Sequence, residues 1–182
     1  MYYFLTQDLD DDDYMVFGGP SENSSKRLWG NGKTFEEDYP IDTFYIRPSS
    51  FQGIKMPDFF DSSTPIMSNR MLNKIKSLGV DNIESYAVII QQENSNAKWD
   101  NYSVINLIGK SDIIDRVNSD IDEFDRFHSV VINEYKANNV LCTRLYNGPF
   151  ELLIHESIAN ELLKEGFSCV KIIKSEDYDA DD

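Results

Sequence analysis

The sequence predicts an α+β fold in a single domain, mainly antiparallel strands with two or three helices. Short runs rich in aromatic and β-branched residues recur along the chain, broken by Gly, Pro, Asn and Asp turns, which is the signature of short strands. Two segments carry an apolar stripe at helical spacing and end on a glycine. A length of 182 residues at 41% apolar content is enough for one well-buried core.

In chain order, "YYFLT" and "DYMVF" read as strands separated by an Asp cluster. "GGPSENSSKRLWGNGK" is a turn-rich connection, and "DTFYIRP" is a strand stopped by Pro48. Residues 49–65 read as a long loop in which Pro57, Phe59 and Phe60 anchor on the core. Ser68 suits an N-cap, since its hydroxyl can accept from a first-turn amide. Met71, Leu72, Ile75 and Leu78 then share one face, and Gly79 stops the helix. "IESYAVIIQ" and "YSVINLI" form a hairpin across the polar "ENSNAKWDN". Segment 110–128 is charged and is expected to be partly helical. "NVLCTRLY" and "FELLIH" pair around Asn147, Gly148 and Pro149. A second helix over 156–165 turns Ile158, Ala159, Leu162 and Leu163 inward, stops at Gly166 and leads into "SCVKIIKS". One domain is therefore expected over 1–174, strand-rich in 1–63, with an acidic tail at 175–182 that frays.

Charge narrows the function. The net charge is −15, and it is uneven: residues 1–63 hold 12 acids and 5 bases, 64–119 hold 6 of each, and 120–182 hold 14 and 6. So acidic a chain repels phosphates and anionic lipid, so neither nucleic acid nor a membrane surface is an expected ligand. A basic protein is the electrostatic complement. No signal-peptide pattern and no apolar run of membrane-spanning length is present, which points to a cytoplasmic protein. Cys142 and Cys169 sit in apolar runs and read as buried free thiols.

The motifs that would carry chemistry fail on spacing. Asp8, Asp10 and Asp12 have the beginning of a calcium loop, but that loop needs glycine at its sixth position and glutamate at its twelfth. Asp13 and Gly19 stand there instead. "VINLIGKSD" resembles a phosphate loop, yet Val104 occupies the place of its first glycine. His128 and His155 lie in no zinc pattern, and His155 with Glu156 suits the start of a helix. Asp115, Ser119 and His128 could be assembled into a hydrolase trio, but no nucleophile elbow supports it. No metal, cofactor or catalytic residue is expected, and the chain does not read as an enzyme.

Three stretches, "MPDFFDSSTPIMSNRMLNKIKSLGV", "YSVINLIGKSDIIDRVNS" and "FELLIHESIANELLKEGFSCVKI", together resemble the immunity proteins of bacterial polymorphic toxin systems, in particular the group called immunity family eleven, formerly a domain of unknown function. The shared elements are Pro57-Asp58, the serine-led helix at Ser68, Tyr102, Val104 and Asn106 on one strand, Asp115 and Ser119, and a final helix–strand over 152–173. The resemblance covers 57–173. It implies a cytoplasmic, non-catalytic protein that neutralises one cognate toxin by stoichiometric binding, and a toxin with a basic cleft would be met by acidic flanks. The partner contacts expected on that basis are Asp8, Asp10, Asp11, Asp12 and Asp13, with Asp120, Asp122, Glu123 and Asp125. Two other classes stay open: a small hydrolase-like enzyme, and an acidic adaptor or scaffold whose carboxylates only solubilise it.

Overall fold

The structure, a computed structural model, describes residues 1–10, 29–35, 42–46, 55–61, 65–92 and 95–181. Its strands are β1 (Tyr2–Gln7), β2 (Asp42–Ile46), β3 (Phe59–Phe60), β4 (Ile66–Ser68), β5 (Ile83–Gln92), β6 (Lys98–Leu107), β7 (Asp120–Ile121), β8 (Phe127–Ser129), β9 (Cys142–Thr143), β10 (Leu152–His155) and β11 (Val170–Lys174). Helix α1 (Asn69–Ser77) follows β4, α2 (Glu156–Glu165) follows β10, and a single 3₁₀ turn, Ser175–Asp177, follows β11. The fold is α+β, as the sequence predicts.

Two sheets form the frame. One has the order β11-β1-β10-β9, with every neighbour antiparallel. The other runs β2-β5-β6-β4-β3, antiparallel except for the parallel pair β2 and β5. β7 and β8 make a separate hairpin.

Strands β1 and β10 and the second half of β6 are buried on two faces, and period two shows how. Along β1, Leu5 faces a cluster shared with both helices, while Tyr2 and Phe4 face a second cluster with Ile113, Val130, Leu153 and Tyr178. Along β10, Leu152 and Ile154 join the helices and Leu153 the second cluster. β6 divides likewise: Ile105 and Leu107 meet the helices, and Tyr102 and Val104 pack with Trp29, Phe60 and Val88. This is why the strand sequences read as continuous apolar runs rather than alternating ones.

The helices hold the predicted punctuation. Ser68 caps α1 by accepting from the Met71 amide at 3.2 Å, and it donates to Asp58. His155 caps α2, its ring nitrogen accepting from the Ser157 amide, and Gly166 ends the helix in the left-handed conformation at φ 62°. Lys74 of α1 bridges Glu161 and Glu165 of α2.

Four expectations need correction. Leu163 is 63% exposed, because Ile158, Ala159 and Leu162 already fill the inward stripe and the next residue turns away from it. Segment 110–128 is not helical; it is a chain of turns and short bridges. Phe59 and Phe60 are anchored on the core, but as strand β3 rather than as loop. The acidic tail does not fray over 175–181. It lies antiparallel along β8, with Val130 donating to Ser175 O and Ala180 to Phe127 O, and Tyr178 is only 7% exposed. The "DYMVF" run lies outside the described residues.

Candidate functional site

The acidic site begins at the β7–β8 turn. Asp122 Oδ1 accepts from the amides of Phe124 (2.8 Å) and Arg126 (2.9 Å), and Asp125 takes the left-handed conformation that closes the turn. Arg126 clamps the turn from its end, donating to Asp122 at 2.7 Å. Its other nitrogen reaches Asp181 at 2.7 Å, which ties the hairpin to the C-terminal segment.

His128 makes the second tie. Its Nδ1 lies 2.7 Å from Asp179, and its Nε2 lies 3.7 Å from Asp122. The hydrogen bond to Asp179, aided by the surrounding carboxylates, raises the imidazole above its ordinary pKa. His128, Asp179 and Asp181 are the described residues that could hold a metal, with ligand atoms within 4.8 Å of one another. Their donor set suits a divalent transition metal, but Nδ1 is engaged with Asp179 and Asp181 with Arg126. The geometry is that of an ion-paired latch.

A groove of about 240 Å³ runs beside the latch, lined by Asp10, Asp61, Glu151 and Asp179, with Lys171 the one cation among its described lining residues. Burial, then the charge of Glu151, pushes Asp61 up to about 7, against the opposing pull of Arg144. Arg144 is 2% exposed; its guanidinium donates to Phe150 O and stacks 4.0 Å from the Phe150 ring. Tyr178 donates to Glu151 Oε1 at 3.2 Å, while Oε2 is buried with no hydrogen-bond partner. A carboxylic acid titrating near 7 beside a second carboxylate can hold or release a proton, and the groove as a whole favours a cation.

The expected contacts sort as follows. Asp10 lines the 240 Å³ groove, while the half-buried Asp8 accepts from the Asp10 amide. Asp11, Asp12 and Asp13 lie outside the described residues. Asp120, Glu123 and Asp125 are exposed. Asp122 is spent on its own turn, so it is a structural residue more than a free contact. The structure therefore brings Asp10 on one groove, and Asp122 and Asp125 on the other side of the latch, more than 110 positions away in sequence, to the same C-terminal segment at 178–181.

Other candidates resolve into scaffold. Ser119 donates to Asp115 O (2.8 Å) and accepts from the Val131 amide (2.9 Å), while His128 is engaged with Asp179, so Asp115, Ser119 and His128 are not assembled as a relay. Cys142 and Cys169 are free and buried, and burial pushes the Cys142 thiol up to about 12. Tyr102 donates to Pro57 O, and Asp58 accepts from Ser68, Arg70 and the Ser168 amide. The segments that carry the family resemblance thus bond to one another. Asp61, Arg144, Glu151, Asp179 and Asp181 were not among the sequence candidates. The one local signal was Arg144, a cation inside the apolar run "NVLCTRLY".

No helix among the described residues is long and apolar enough to cross a membrane. No protein-family model matches the chain, and no curated protein matches it.

Proposed function

We propose that the protein is a stoichiometric protein-binding inhibitor that recognises a basic partner through its acidic face. More particularly, we read it as an immunity protein that acts in the cytoplasm, binding a cognate bacterial toxin domain and occluding its cleft. The observation that carries this reading is the convergence of Asp10, Asp122 and Asp125 on the segment that carries the tail carboxylates. A concentrated negative field steers a basic partner into productive encounters and speeds association. The resemblance over 57–173 supplies the toxin as the partner class.

The test is one-to-one binding to the toxin-domain protein encoded beside this chain's gene. Calorimetry should return a stoichiometry of one, kinetics should give association that slows as salt is raised, and co-expression should relieve the toxin's growth arrest. Absence of association with that neighbour in a pull-down would end the proposal.

A further inference from the structure

The groove of about 590 Å³ next to the acidic face is walled by four separate segments. Arg116 comes from the 115–119 turn, Asp125, Arg126 and Phe127 from the β7–β8 hairpin, Asn147, Gly148 and Pro149 from the loop before β10, and Tyr178 and Ala180 from the tail. Four of the eight large exposed hydrophobic residues described are immediate chain neighbours of a lining residue: Val117 at 92%, Phe124 at 72%, Tyr146 at 56% and Phe150 at 46% exposed. Phe150 is taken up by Arg144, on which its ring stacks, which leaves three. Isolated exposed apolar side chains are ordinary, but a group of them rimming one concave surface is the composition of an interface centre.

The two arginines of the groove are held in place by contacts on both sides. Arg116 donates to Asn147 O and lies 5.5 Å from the Phe127 ring. Arg126 is held by Asp122 and Asp181, with the Phe124 ring at 5.8 Å. Both arginines therefore act as fixed walls, and little side-chain freedom is lost when the groove is filled. Charge selects the occupant. The described lining holds one carboxylate, Asp125, against these two arginines, but Arg126 is already offset by Asp122 and Asp181. The framing segments 115–126 and 175–181 hold nine carboxylates in all. A second copy of this surface would meet its own charge; a basic partner would not.

We infer that this groove seats an aromatic or aliphatic side chain carried on a basic segment of the partner protein, while the surrounding carboxylates pair with the flanking cations. This rests on the inhibitor reading and gives it an affinity centre distinct from the long-range field.

Three capped tripeptides serve as probes in an NMR titration of the full chain: Lys-Trp-Lys, Lys-Ala-Lys and Glu-Trp-Glu. Lys-Trp-Lys should shift the amides of Val117, Phe127 and Ala180 and bind about tenfold more tightly than Lys-Ala-Lys, while Glu-Trp-Glu should not bind. The triple variant Val117→Ser, Phe124→Ser, Tyr146→Ser, confirmed folded by its amide spectrum, should lose that preference. Equal binding of the two basic peptides, or shifts scattered over all the carboxylates, would reduce the site to charge alone and overturn the inference. So would a concentration-dependent dimer abolished by the triple variant. The two proposals fail separately: a triple variant that holds the toxin at full affinity sinks only this one, and peptide binding here without toxin binding sinks only the inhibitor reading.

Discussion

The ring of Tyr178 stands 4.5 Å from that of Phe4, with the planes tilted by 49°, so the acidic C-terminal segment is pinned to the first strand through an aromatic pair. Removing that ring leaves a cavity in the cluster with Leu153 and Val130. Tyr178→Ala should cost about 3–4 kcal/mol of stability in urea unfolding. Tyr178→Phe, which loses only the bond to Glu151, should cost about 1 kcal/mol. A loss below about 1 kcal/mol for the alanine variant would mean that the tail merely adheres.

Asp61 should make the fold less stable as pH rises. Its folded-state pKa of about 7 lies above the ordinary 3.8, so the folded chain keeps a proton that the unfolded chain has lost. Stability then declines from about pH 4 to about pH 7 and levels off above. Asp61→Asn should be more stable than the parent at pH 8, by a few kcal/mol at most, and similar to it at pH 4. Thermal melts at the two values decide it; an equal effect at both would rule out titration of Asp61.

The His128 latch carries the same sign, in a higher pH range. Here the folded pKa is raised, so the ion pairs contribute fully below about 6.5 and are lost as pH rises through the folded value. Hydrogen exchange at the Ala180 amide, corrected for intrinsic rate, should report more frequent opening at high pH. His128→Ala should flatten that dependence. Unchanged protection from pH 6 to pH 9 in the parent would remove the latch from the description.

Charge removal should separate binding roles within one turn. The variant Asp120→Asn, Glu123→Gln, Asp125→Asn should slow association with the proposed toxin partner by about tenfold at low salt, with little change in dissociation. Asp122→Asn should act instead on the hairpin, because its carboxylate accepts two backbone amides. Loss of exchange protection at Arg126 would be its signature.

Ser68→Ala should lower stability by about 1 kcal/mol through the lost cap of α1. Asp58→Ala should cost more, about 2–3 kcal/mol, because it leaves Ser68, Arg70 and the Ser168 amide without their shared acceptor. Denaturant midpoints compare the two, and equal losses would discount the part Asp58 plays in joining α1 to the turn after α2.

Elements written in local sequence were legible. The β5–β6 hairpin, the cap at Ser68 and the stops at Gly79 and Gly166 depend on residues within a few positions of one another. Segment 110–128 misled because its aspartates look like helix-compatible charge, whereas Asp115 and Asp122 use their carboxylates to satisfy nearby amides and so favour tight turns. The tail misled for the reverse reason: one aromatic, Tyr178, outweighs five surrounding carboxylates by entering the core. Of the site, the acidic segments could be read, but their meeting could not. Nothing near Asp10 or Asp125 in sequence announces residues 178–181, and nothing near Asp61 announces Glu151.

The central place of β1 bears on how the protein is made. Tyr2–Gln7 leaves the ribosome well before both its neighbours, Leu152–His155 and Val170–Lys174. Until then the strand has two open edges and apolar faces, a state prone to wrong pairing. Sheet closure of such long sequence separation is slow. A nascent or truncated chain lacking the segment after residue 151 can complete neither this sheet nor the acidic face, so the surface that would greet a partner exists only once residues 152–181 have joined the first strand.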